Sequence, residues 1–246
     1  MRAACRAAAE VLAGVAREVQ PGRTTAELNA IAAGLIEKFG GKSPFLGYKG
    51  YPGHICVSVN EEVVHGIPSQ RRVQYGDIVS LDVGIIVNGF VGDNATTVAV
   101  GVVEDRTQQL LQVTERALYA GIAAARAGNR VSDISRAVQT MVEANGFSVV
   151  REFVGHGVGR KMHEEPQVPN YVGSGPDPKL KRGMTLAIEP MINAGSHEVV
   201  MLSDGWTVVS ADGAPSAHFE HTVLITDGDA EILTWLKKSP YESKAP

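Results

Sequence analysis

The sequence predicts an α+β fold built from two pseudo-symmetric halves, approximately residues 1–103 and 104–246, around a mostly antiparallel central sheet. Three observations predict it. A helix–helix–strand order occurs twice along the chain. The glycines that punctuate corresponding helices, Gly22 with Gly128 and Gly40 with Gly146, stand 106 residues apart. Two apolar runs that close on a carboxylate, GDIVSLD at 76–82 and GMTLAIE at 183–189, stand 107 apart. An offset preserved over such a distance marks an internal repeat.

The first helix reads from Ala3 to Val19 and is broken by Pro21 and Gly22. The second starts near Thr24 or Thr25, carries an apolar face of Leu28, Ile31, Leu35 and Ile36, and ends at Gly40–Gly41. Strands are expected at His54–Asn60, along the run into Asp82, at Ile85–Val87 and at Thr96–Val102, with a turn at Asn88–Gly89. The second half repeats this order, with helices at Thr107–Arg126 and Val131–Ala144. Further strands are expected at Ser148–Phe153, along the run into Glu189 and at Thr222–Thr226. Few strand–helix–strand alternations occur, so an antiparallel sheet with helices on one side fits better than a doubly wound one. Residues 164–182, with four prolines, read as a long loop that either walls a site or runs over the surface.

Length admits one symmetric domain or two, and the repeat is read as one. An apolar fraction of 44% with 20% charged residues is that of a globular protein. A formal charge of -4 argues against general nucleic-acid binding. Arg2, Arg6, Glu10 and Arg17 interrupt the alanine-rich start, so neither a signal peptide nor a membrane span is expected, and the expected location is the cytoplasm. Cys5 and Cys56 are too few for a disulfide framework or a thiolate site, so any metal must be held by oxygen and imidazole.

An aspartate at a strand end, such as Asp82, or after a turn, such as Asp93, is commonly a cap. The repeat changes that reading. Glu189 takes the place of Asp82 in the second half, inside an apolar run where an unpaired charge is costly, and Glu220 in HFEHT plays the part of Asp93. His156 lies in GHGVG, where it is either a structural histidine of a glycine turn or a ligand that completes the set. Four carboxylates balance the charge of two divalent ions better than that of one. Paired ions suit the hydrolysis of an amide.

The combination of HGIP, LDVG with GFVGD, GHGVG with MHEEP, AIEP and HFEHT resembles the type I methionine aminopeptidases, of the creatinase-like "pita-bread" fold, over essentially the whole chain. The resemblance implies two divalent ions, of cobalt, manganese, iron or zinc. Asp82 would be a terminal ligand, Asp93 and Glu220 would be shared, and His156 and Glu189 would serve the other ion. Glu189 would also manage the proton of the attacking water. His163 would hydrogen-bond the scissile carbonyl, and His65 would face the scissile nitrogen. Tyr48, Tyr51, Cys56, Phe153 and Trp206 are candidates for the cavity of the methionine side chain. Phe45 stands where many relatives carry a small or thiol residue at the pocket mouth, and Met162 where a phenylalanine is familiar. His54, His197, His218 and His221 receive no catalytic role, although His218 and His221 flank Glu220 and could hydrogen-bond around it.

The implied substrates are peptides and nascent chains with an initiator methionine followed by a small residue, met in transient association with ribosomes by a monomeric enzyme. The type II insertion and an amino-terminal extension are not expected. The rival readings are a proline-specific aminopeptidase or dipeptidase of the same fold, a binding protein that has lost catalysis, and a purely structural metal.

Overall fold

The computed structural model describes residues 1–236, so the last ten positions of the second half lie outside the described residues. The first half contains helices α1 (Arg2–Ala16) and α2 (Thr25–Lys38) and strands β1 (Cys56–Val59), β2 (Glu62–Val64), β3 (Ile78–Val87) and β4 (Phe90–Ala99). The second opens with α3 (Asp105–Ala124) and α4 (Val131–Glu143), then β5 (Ser148–Val149), β6 (Gly155–Gly157), β7 (Glu164–Val168), β8 (Thr185–Ile188) and β9 (Met191–Asn193). It continues with β10 (Val199–Met201), β11 (Val208–Ser210), β12 (Ser216–His218), β13 (Glu220–Leu224) and β14 (Glu231–Ile232).

The four helices stand where the sequence places them; α1 and α3 begin one and two residues earlier than expected, and α1, α3 and α4 stop three, two and one residues earlier. Thr24 caps α2 through a reciprocal pair: Glu27 N–H donates to Thr24 Oγ1 at 3.1 Å, and Thr24 N–H donates to Glu27 Oε2 at 2.7 Å. At the corresponding start of α4 the residue is Arg130, and the orphan donor of Ser132 is taken instead by Asp177 Oδ1 at 2.9 Å.

The strand expectations need more correction. The runs expected to stop at Asp82 and restart at Ile85 form one ten-residue strand, because Val83 and Ile85 are buried against the helices on the same face as Val79 and Leu81. Its hairpin partner starts at Phe90, not Thr96, so Asp93 lies inside a strand. Asn88 and Gly89, with φ of 52° and 74°, make the turn whose twist matches the hairpin. The strand expected at Ser148–Phe153 is only two residues long, and the one at Thr222–Thr226 runs earlier, as Glu220–Leu224. The segment expected as an unstructured loop begins with β7, and its remainder is strapped to α4 through Asp177 and through Ser135 Oγ on the Pro169 carbonyl.

The central sheet is antiparallel throughout, in the order β1–β3–β4–β13–β8–β6–β7, with β14 beside β13. This order is symmetric about the β4–β13 pair: β3 matches β8, and β1 matches β6. Helices α1 and α2 cover the β3 side of one face through an apolar cluster that includes Leu12, Leu28, Val79, Leu81 and Ile85. Helices α3 and α4 cover the β8 side through Leu118, Ile134, Leu186, Ile188 and Val223. Helices therefore take one face, and alternation turns Ser80, Asp82, Asp93 and Thr97 to the other.

Two three-stranded sheets, β10–β11–β2 and β12–β9–β5, complete the described residues. At two of the places where the chain passes between the central sheet and a small one, it runs from β8 through Glu189 and Pro190 to β9, and from β12 through Phe219 to β13. Both crossings lie at the site. No helix of the described residues is long and apolar enough to cross a membrane.

Candidate metal centre

Register assembles the centre. Cys56 pairs with Asp82, Asp82 with Ala95, and Ala95 with Glu220, so Asp82 and Glu220 flank one alanine on the helix-free face. Asp93 lies one pleat along, paired with Gly84, and Thr222 Oγ1 ties its carbonyl to β13 at 2.7 Å. From the far side, His156 pairs with Ala187, two residues before Glu189. Glycines flank His156 because the neighbouring strands come close. A Cβ on Gly155 would stand 2.4 Å from the Ala187 carbonyl oxygen, and one on Gly157 2.3 Å from that of Glu165.

All five sequence-predicted ligands converge. Asp82, Asp93 and Glu220 offer oxygens that all lie within 4.8 Å of one another. His156 Nε2 lies 3.4 Å from Glu189 Oε1 and 4.0 Å from Asp93 Oδ2. Its Nδ1 lies 2.8 Å from the Gly157 carbonyl. A carbonyl only accepts, so Nδ1 carries the proton and Nε2 turns its lone pair to the carboxylates.

Burial sets the electrostatics. It pushes the Asp82 carboxyl up to about 7 and those of Asp93, Glu189 and Glu220 well above the ordinary range, with their mutual repulsion adding to it. It also draws His156 down to about 4. Asp82 Oδ1, Asp93 Oδ1 and Glu220 Oε1 are buried without a hydrogen-bond partner. Among the described residues, the ion pairs of this cluster are with histidines alone. Buried, unpaired oxygens beside an imidazole lone pair fit a divalent cation, which would supply the missing charge and partners.

The centre floors a cavity of about 770 Å³. His65 and His163 both reach it. His65 follows β2 with φ of 60° and stands edge-on to Phe153 and Trp206, at 5.2 Å and 6.0 Å between centroids. Burial, then the neighbouring His163, draws it down to about 4. His163 packs edge-on to His156 at 4.5 Å, and burial with the charge of Lys49 holds it below its ordinary value.

The methionine-pocket candidates divide. Tyr51, Cys56 and Trp206 share one apolar cluster with Phe45, Ile67 and Met162. Phe153 belongs to a neighbouring cluster beside Val64 and Met191. Phe45 is buried, its ring resting on Gly84, where an added Cβ would meet it at 2.8 Å. Tyr48 stands apart at the partly exposed rim, its hydroxyl 3.3 Å from His163 Nδ1.

Two residues without a catalytic or ligand assignment from the sequence enter the site. His218 is buried, with Nε2 3.8 Å from Glu189 Oε2, and Thr97 holds its backbone on both sides at 2.8 Å and 2.9 Å. Asn170, also buried, donates to the Glu189 carbonyl at 3.0 Å. Alternation about Glu220 offered a signal for His218, since residues two apart share a face. His221 accordingly turns away, to Thr234, Tyr119 and Trp235. His54 only holds the loop, through its backbone to Asn29 and Ser43.

Comparison with known proteins agrees with this geometry. The model of metallopeptidase family M24 matches residues 1–227. Methionine aminopeptidase 1 of Bacillus subtilis is 52% identical, covering 95% of this chain and 94% of its own. The methionine aminopeptidase of Escherichia coli is 44% identical, over 96% and 90%. The crystal structure of the Thermotoga maritima methionine aminopeptidase superposes with a TM-score of 0.93 at 46% identity, over 96% and 95% of the two chains. A prolidase from Pyrococcus furiosus shares the fold, with a TM-score of 0.76 at 21% identity, but only 63% of its chain is covered. The chain belongs to metallopeptidase family M24, among its type I methionine aminopeptidases.

Proposed function

We propose that the chain removes the amino-terminal methionine from polypeptides whose second residue is small, using two divalent ions held by Asp82, Asp93, His156, Glu189 and Glu220. The observation that carries this reading is the convergence of four carboxylates, three with buried, unpartnered oxygens, on the Nε2 lone pair of His156 at the floor of one cavity. Divalent ions held by these residues would supply an acidified water and a polarised carbonyl.

The side chains divide the remaining work. Glu189 takes a proton from water as its oxygen attacks the carbonyl carbon, and returns it to the amine nitrogen as the C–N bond breaks. His163 hydrogen-bonds the scissile carbonyl, most strongly as negative charge develops on its oxygen. His65 faces the scissile nitrogen. Tyr51, Cys56 and Trp206, with Phe45 and Met162, offer aromatic and sulfur surface to the thioether. Manganese, iron, cobalt and zinc all suit an oxygen and imidazole set.

Mass spectrometry of a peptide panel tests the reading: Met-Ala, Met-Gly and Met-Ser against Met-Leu, Met-Phe and Xaa-Pro sequences, with manganese-loaded enzyme. Loss of methionine from the first three alone is expected. Cleavage confined to bonds before proline would replace this reading with the prolidase one.

A further inference from the structure

His156 and His163 stand edge-on at 4.5 Å, yet their Nδ1 atoms meet chemically opposite partners. His156 Nδ1 faces the Gly157 carbonyl at 2.8 Å, which can only accept. His163 Nδ1 faces the Tyr48 hydroxyl at 3.3 Å, which can donate. A phenol is a stronger donor than acceptor, so the better pairing has Tyr48 O–H donating to an unprotonated Nδ1. The proton of neutral His163 is then on Nε2.

We propose that Tyr48 is a positioning residue that fixes His163 in the Nε2–H tautomer, opposite to that of His156, and so keeps a donor available at the cavity. The two partners assign a lone pair to one histidine and a proton to its neighbour. The chain invests in presenting Tyr48: its turn, Tyr48–Gly50, has Lys49 at φ 47° between Gly47 at 81° and Gly50 at 89°. The phenol lies at the partly exposed rim, away from the apolar cluster of Tyr51, Cys56 and Trp206, which suits a polar task better than methionine packing.

The consequence for rate rests on the reading of His163 as the carbonyl donor; the tautomer does not. The test is therefore twofold. Imidazole nitrogen shifts of ¹⁵N-histidine-labelled, zinc-loaded protein are recorded for wild type and Tyr48→Phe, with His163 assigned by its loss in His163→Asn. Expected is an unprotonated Nδ1 and a protonated Nε2 in wild type, and a mixture of tautomers in Tyr48→Phe. Kinetics of the manganese enzyme on Met-Ala-Ser should show kcat lowered about tenfold, the worth of one hydrogen bond, with KM changed less than twofold. A protonated Nδ1 in wild type, or the same tautomer in both proteins, overturns the proposal. A raised KM with unchanged kcat and tautomer would return Tyr48 to the methionine pocket. An altered tautomer with unchanged kcat would keep the hydrogen bond, overturn its catalytic purpose and count against His163 as the donor.

Discussion

Each residue of the centre is held by an environment that opposes its charge. Burial raises the Asp82 carboxyl to about 7 and holds Asp93, Glu189 and Glu220 above their unfolded values. Such groups stabilise the metal-free fold below their unfolded pKa of about 4, and that contribution is lost as pH rises through the folded values. Metal-free protein should therefore melt at progressively lower temperature between about pH 5 and 8, and manganese should reverse the trend by binding the ionised set. Scanning calorimetry with and without chelator checks this; a metal-free melting temperature that rises over the window would contradict it. Replacing Glu189 by alanine removes both a ligand and the proton carrier. Turnover should fall by at least about 10²–10⁴-fold, with the far-ultraviolet circular dichroism unchanged. Asp82 and Glu189 were legible because each ends an apolar run at the same place in the repeat, where an unpaired charge is costly, and Asp93 and Glu220 because the repeat supplies a second carboxylate from each half. Asn170 was not legible, since its contact with the Glu189 carbonyl joins residues whose meeting depends on the path of the 164–182 segment.

Among the elements, the helices were legible, the ten-residue strands β3 and β4 only in part, and most of the shortest strands not at all. The four helices announce themselves through apolar periodicity and through breaks at Gly22, Gly40, Gly128 and Gly146, each with positive φ. The strands of two or three residues, such as β6 and β9, are too short for any periodicity, and their pairing partners alone define them. Strand β6 nonetheless carries His156, so its geometry matters more than its length suggests. Gly157→Ala would drive a Cβ to 2.3 Å from the Glu165 carbonyl and push β6 off β7. A loss of about 1–3 kcal/mol of stability is expected. Metal affinity should fall with it, because His156 moves with its strand. Urea unfolding and metal titration calorimetry measure the two effects. A stable variant with native affinity would show that the glycine is not required.

At the scale of the whole molecule, the duplication explains why the centre lies where it does. The sheet order is symmetric about β4–β13, so each half brings its two carboxylates to the same seam. The offsets of 106 and 107 residues made this legible without coordinates. The crossings at Pro190 and Phe219 were not legible, because the sequence does not show which short strands leave the central sheet; they set Glu189 just past the end of β8 and Glu220 at the first residue of β13, where both line the cavity. The most direct measurement is methionine release from Met-Ala-Ser by enzyme stripped with chelator and then titrated with manganese. No release from the stripped enzyme, and recovery with added metal that Asp82→Asn, Asp93→Asn and Glu220→Gln each abolish, is the expected result. Release that survives complete stripping, or that returns equally in those variants, would contradict a metal-dependent peptidase centred on these carboxylates.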